Sequence, residues 1–164
     1  MSIPLRRSRF LGEAHDFSPS APSPCRFKPD TRSATSLGMQ AKSVEQLPIW
    51  RTALRFAEAV LASTGQTRIP EARRLREQID GAADSILANL AEGFEQGTDR
   101  GFARYLFIAR GSCSEVRAHL SVARLRGYVT AAEAERLRSD AAELMRMLTG
   151  FIEYLLTSDR KRRR

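Results

Sequence analysis

Along residues 47–157 the apolar side chains recur at steps of three and four, the period of a helix with one buried face. The run LPIWRTALRFAEAVLAST puts Ile49, Trp50, Ala53, Phe56, Ala57, Val60 and Leu61 on one stripe. Pro48 suits the first turn, where a missing N–H costs nothing. A second helix is predicted over about 71–94 on Leu75, Ile79, Ala82, Ala83, Ile86, Leu90 and Phe94, with a stop from Gly93 to Gly97. The third runs from Thr98 to about Arg126 through Phe102, Leu106, Ala109, Cys113, Val116, Leu120 and Ala123, and RGYV closes it. The fourth opens with a capping box, in which Thr130 accepts from the Glu133 N–H while the Glu133 carboxylate reaches back. It continues through Leu137, Ala141, Leu144, Met147, Leu148, Phe151 and Leu155. Four long helices with short connections and one apolar face each predict an all-α fold, an antiparallel up-down four-helix bundle spanning residues 44–157.

The flanks break this pattern. Residues 1–43 hold five of the seven prolines, many serines and no sustained apolar period, the composition of a disordered leader. The leader is rich in Arg and Ser, as organelle transit peptides are, but its prolines oppose an amphipathic helix; alternatively the reading frame begins at Met39. Residues 158–164 form a basic tail ending in RKRRR. No apolar run approaches the roughly 20 residues of a membrane helix. Cys25 and Cys113 stand apart without metal-ligand or redox spacing, which fits unpaired thiols in a reducing, cytoplasmic setting.

The net charge of +8 changes its meaning once it is located. Residues 1–43 carry seven Lys+Arg and three Asp+Glu, and the terminal run Arg160, Lys161, Arg162, Arg163 and Arg164 carries five cations. The stretch between has 15 basic and 16 acidic residues, so the bundle is nearly neutral and the basicity lies in the tails. Within the bundle, Arg110, Arg117 and Arg124 recur every seven residues along the third helix, with Arg100 and Arg104 near its start. This stripe reads either as a phosphate-binding surface or as a solvated or interhelical salt-bridge rim. No aromatics interleave with the arginines, so base stacking is not indicated.

Gly111 and Ser112 sit back to back in mid-helix, where glycine costs about 1 kcal/mol relative to alanine. Small residues there allow close approach of another backbone. The helical wheel puts Ser112 on a flank of the core face, packed in the bundle, and Gly111 nearly opposite, toward a neighbouring subunit. Catalytic chemistry finds no constellation: His119 follows Glu115 by four residues, without the paired Glu-x-x-His motifs of a di-iron bundle, and no P-loop or nucleophile elbow occurs. No enzyme activity, metal or cofactor is expected.

The segments LPIW, ILANLAEGF, FARYLFIARGSCSEV and LRGYV, followed by the Thr130 cap, resemble in order and spacing a family of bacterial four-helix bundle proteins. These were first noticed as reading frames inside intervening sequences of large-subunit ribosomal RNA genes. The family includes the accessory variability determinant of diversity-generating retroelements. The resemblance spans about residues 44–157 and implies a homopentameric barrel without catalytic residues. In the retroelement branch it implies a basic surface that binds nucleic acid and docks on a reverse transcriptase. Asn89 and Glu92 fall in the family's most recognisable segment and are expected at helix-packing or subunit contacts, with Gly111 and Ser112. The sequence departs from its relatives at Asp80 and Gly81, where a pair of arginines is common, and at Asp84, where an apolar residue is usual. Leu87 replaces a proline, and Gly101 replaces the glutamate that would complete a capping box with Thr98. The expected function is an oligomeric, non-catalytic bundle whose cationic tails, together with the arginine stripe of the third helix, engage RNA or DNA electrostatically; the alternative is a ring-forming protein-interaction scaffold whose tails serve solubility.

Overall fold

The computed structural model describes residues 41–65 and 72–162, with side chains through residue 159. A short 3-10 turn, Val44–Gln46, precedes four α-helices: α1 (Pro48–Gly65), α2 (Arg73–Phe94), α3 (Asp99–Leu125) and α4 (Ala131–Arg162). The expected leader, Cys25, Met39, Arg163 and Arg164 lie outside the described residues.

Cross-helix pairs run in opposite directions along the chain. Ser85 meets Ser112 and Phe94 meets Phe102 between α2 and α3. Thr149 meets Arg110 and Arg138 meets Ser121 between α3 and α4. Each helix is thus antiparallel to the next, and α1 closes the ring against both α2 and α4. The predicted apolar stripes meet in a single core, except that Leu61, one position round α1 from the buried Val60, stays 42% exposed: Leu106, Leu120, Leu137, Leu144 and Leu148 are fully buried, with Ile86, Leu90 and Val60 between them. Burying each such side chain contributes about 1.5–3 kcal/mol of transfer free energy. Val44 and Leu47 join the core from the 3-10 turn.

The helix ends follow the local chemistry. Gly127 adopts φ +70°, and its N–H donates to the Arg124 carbonyl (3.0 Å) while the Tyr128 N–H donates to Ala123 (2.9 Å). This closes α3 in a Schellman motif, which needs a residue free of Cβ strain at positive φ. The Thr130 capping box forms reciprocally, with the Glu133 N–H donating to Thr130 Oγ1 (3.2 Å) and the Thr130 N–H donating to the Glu133 carboxylate (3.0 Å). The hydrogen bonds from Thr130 hold the Glu133 carboxyl below its ordinary range. At α3 the Gly101 N–H still donates to Thr98 Oγ1 (3.1 Å), so the glutamate missing at 101 removes only the return bond. Leu87 leaves α2 continuous.

Asp80, one of the departures from the relatives, ties two helices together. Thr64 near the end of α1 donates to its carboxylate at 2.8 Å, and Arg76 approaches it at 3.4 Å. Cys113 is fully buried in the core, and burial pushes its thiol up to about 12. Only the thiolate attacks disulfide reagents. A Cys25→Ser chain is therefore expected to resist labelling by an aromatic disulfide at pH 8 and to react fully once unfolded in urea. Fast stoichiometric labelling of the folded chain would place Cys113 outside a packed core.

Candidate nucleic-acid interface

Helix α3 carries five arginines against two acids, Asp99 and Glu115. Helical period divides these arginines. Arg100 and Arg104 are exposed on the outer side of α3. Arg110 and Arg117 are half-buried in the seam with α4, and Arg124 continues their row, exposed, toward the end of the helix.

The seam arginines are held by neutral groups. Arg110 Nη1 donates to Thr149 Oγ1 across the seam (3.1 Å), and its guanidinium lies 5.0 Å over the Phe107 ring. Among the described residues Arg117 Nη1 reaches only the Met145 sulfur, at 3.7 Å, and its buried Nε has no hydrogen-bond partner. Among the described residues no carboxylate comes within 4.0 Å of Arg110, Arg117 or Arg124. The salt-bridge rim that the spacing also allowed is therefore not what forms, and the stripe keeps its positive charge.

Arg138, which sequence reasoning passed over, belongs to the same seam. Its Nη1 donates to Ser121 Oγ at 2.8 Å, and Ser121 in turn donates to the Arg117 carbonyl at 3.0 Å. Its sole carboxylate partner among the described residues is Glu135, at 3.9 Å and largely in water, where screening leaves little attraction. The signal was available: Arg138 stands seven residues before Met145, on the apolar flank of α4. The terminal basic run begins on helix rather than after it, because α4 extends through Arg162 and carries the backbones of Arg160 and Lys161.

The small-residue pair separates as the wheel predicts. Ser112 is buried, shares a 3.0 Å hydrogen bond with Ser85 of α2 and donates to the Ile108 carbonyl. Asn89 completes this polar cluster by donating to the Ser85 carbonyl at 2.7 Å. Glu92 is exposed, and only its backbone carbonyl is engaged, by Gln96. Gly111 is exposed, and a methyl group there would meet nothing within 4 Å, so no helix of this chain requires its smallness. It lies instead between Phe107 and Ile108, both nearly half exposed, and Ala118 further along the outer face of α3.

A glycine that packing requires occurs elsewhere, at Gly93, for which the pattern predicted only a stop signal. A Cβ there would lie 2.7 Å from both the Phe102 ring and the Tyr105 Cβ. Among the described residues no group of three or more His, Cys, Asp or Glu could hold a metal ion, and no helix is long and apolar enough to cross a membrane.

Fold and site together define a small antiparallel four-helix bundle with an uncompensated arginine seam and a partly apolar outer face on α3. The chain belongs to the 23S rRNA-intervening sequence protein family, whose model matches residues 45–150. A similar solved structure is that of a protein of unknown function from the S23 ribosomal protein family of Bacteroides thetaiotaomicron. It is 22% identical with a TM-score of 0.58, covering 64% of this chain and 95% of that one. No curated protein gives a significant match.

Proposed function

We propose that this protein is a non-catalytic, self-associating bundle that binds RNA or DNA through electrostatic contacts with the phosphate backbone. The observation that carries this reading is the uncompensated charge of α3: Arg110 and Arg117 are positioned by a hydroxyl and a thioether instead of carboxylates. Arg124, Arg100 and Arg104 stand exposed along the same helix, and the basic run from Arg160 to Arg164 adds five cations next to a single acid, Asp159. Affinity for a polyanion scales with the number of phosphates neutralised, so several cations acting together are required. Self-association multiplies them. Its support is the outer face of α3, where Phe107 and Ile108 remain 46% and 47% exposed beside the open Gly111.

A pentamer is the assembly that the family resemblance implies, and docking on a reverse transcriptase is the role that its retroelement branch implies. The exposed apolar residues also fit the second reading, a ring-forming protein scaffold that leaves nucleic acid alone.

Two measurements on the full chain test the proposal. Native mass spectrometry is expected to give a homo-oligomer, with five copies the expected number, and Ile108→Asp is expected to shift it toward monomer. Fluorescence anisotropy with a labelled RNA is expected to show binding that weakens steeply as salt rises. A monomer at micromolar concentration removes the multivalent part of the reading. Absence of binding at low salt, where electrostatic attraction is strongest, removes the nucleic-acid part and leaves the scaffold.

A further inference from the structure

Resting on that reading, we propose that the seam between α3 and α4 seats one backbone strand of a double-stranded nucleic acid, with Arg110, Arg117 and Arg124 on one wall and Arg138 on the other. The three α3 arginines are spaced seven residues apart, which on a helix rising 1.5 Å per residue is about 10.5 Å between neighbours and about 21 Å from first to last. They project from one continuous helix packed against another, so the row holds its geometry before any ligand arrives.

Cross-seam contacts fix the charges further. Arg110 is held by Thr149, Arg117 rests on Met145, and Arg138 is held by Ser121, which is itself bonded to the Arg117 carbonyl. Neutral partners orient Arg110 and Arg117 without neutralising them, and Arg138 meets a carboxylate only at 3.9 Å, from the largely exposed Glu135. The Nε of Arg117 is buried, so a docked phosphate meets this guanidinium through its terminal nitrogens.

A fixed row of charges discriminates between a stiff and a flexible polyanion. A duplex presents its phosphates along a backbone whose persistence length far exceeds the seam, so little order is lost on docking. A single strand must be straightened, and proteins that bind one offset that cost by stacking bases on aromatic rings. The exposed aromatic beside the seam, Phe107, has the Arg110 guanidinium over its ring. The basic tail carries no such geometric requirement, so it contributes affinity for either form while the seam contributes the preference for duplex.

The test compares full-length protein with the triple variant Arg110→Gln, Arg117→Gln, Arg138→Gln. Fluorescence anisotropy is read on duplex RNA, duplex DNA and single-stranded RNA of equal length across a salt series. Full-length protein is expected to bind the duplexes at least about fivefold tighter than the single strand. The variant is expected to lose that preference, and its log–log salt slope on duplex to fall by nearly three, at about 0.9 for each phosphate no longer neutralised. Comparing the two duplexes tells whether the seam takes A-form RNA, B-form DNA or both. Circular dichroism and a thermal melt verify the fold of the variant, and the single Arg138→Gln change, at the seam's edge, repeats the comparison with less disturbance.

Tighter binding of single strands by full-length protein overturns the proposal, as does a folded variant that keeps its duplex preference and slope. In both cases the broader reading stands on the tail. Failure of full-length protein to bind any of the three probes overturns both.

Discussion

Gly93→Val is expected to destabilise the bundle by about 3 kcal/mol or more, lowering the thermal midpoint by about 10 °C or beyond. Here the first atom of any side chain would stand 2.7 Å from the Phe102 ring and from the Tyr105 Cβ. The Tyr105 Cβ moves only with the α3 backbone. Phe102 is itself held by T-shaped ring contacts with Phe94 (6.1 Å) and Phe151 (5.3 Å), which oppose its turning away. Relief therefore requires α2 and α3 to separate, and overpacking of this kind costs typically about 1–3 kcal/mol for small additions. Valine adds a branched Cβ to that cost.

Gly93→Ala tests the same contact with the sign as the readout. Helix propensity favours alanine over glycine by about 1 kcal/mol. Gly81, on the same helix, is exposed with nothing within 4 Å of a Cβ, so Gly81→Ala is expected to stabilise by up to that amount. Gly93→Ala is expected to destabilise despite the same propensity gain. Urea denaturation of the pair decides it: if both alanine variants are more stable than the parent, the α2–α3 crossing is looser than its geometry indicates.

Removing residues 1–42 together with 160–164 is expected to be the largest single loss of nucleic-acid affinity, exceeding that from Arg117→Ala. The reason is charge balance. Residues 44–159 carry 15 basic and 16 acidic side chains, whereas the terminal five residues are all cationic and the leader has an excess of base over acid. If each cation of the terminal run neutralises one phosphate, its removal lowers the log–log salt slope by about four and costs orders of magnitude at low salt. The truncated chain is expected to keep its preference for duplex, which resides in the seam. Titration at two salt concentrations checks both statements. If truncation leaves affinity intact while Arg117→Ala reduces it strongly, the bundle and not its termini supplies the charge.

Helix positions, the Thr130–Glu133 box, the Gly127 stop and the apolar stripes were legible in the chain because each depends on residues within a turn or two of one another. Period and capping are local properties, and four amphipathic stripes with short connections leave an antiparallel bundle as the economical way to bury them. The inward turn of Ser112 and the outward turn of Gly111 were legible for the same reason, since a helical wheel needs only spacing.

Which side chain stands opposite which was not legible, because that is set by the register between helices distant in sequence. Gly93 reads locally as a stop signal; only the arrival of Phe102 and Tyr105 from α3 makes its missing Cβ a packing requirement. Ser85 gains a role only through Ser112, and Asp80 through Thr64. The heptad of Arg110, Arg117 and Arg124 was visible in the sequence, but its charge state depended on what α4 set against it. In this register the partners are Thr149 and Met145 instead of carboxylates, with Arg138 adding another cation to the seam. The sequence alone determined the elements and their buried faces, since short-range sterics and hydrogen bonding suffice for both. The tertiary structure decided where a glycine leaves room for a neighbouring helix's side chains and which arginines of α3 lack a carboxylate partner, since those follow from pairings that no local pattern encodes.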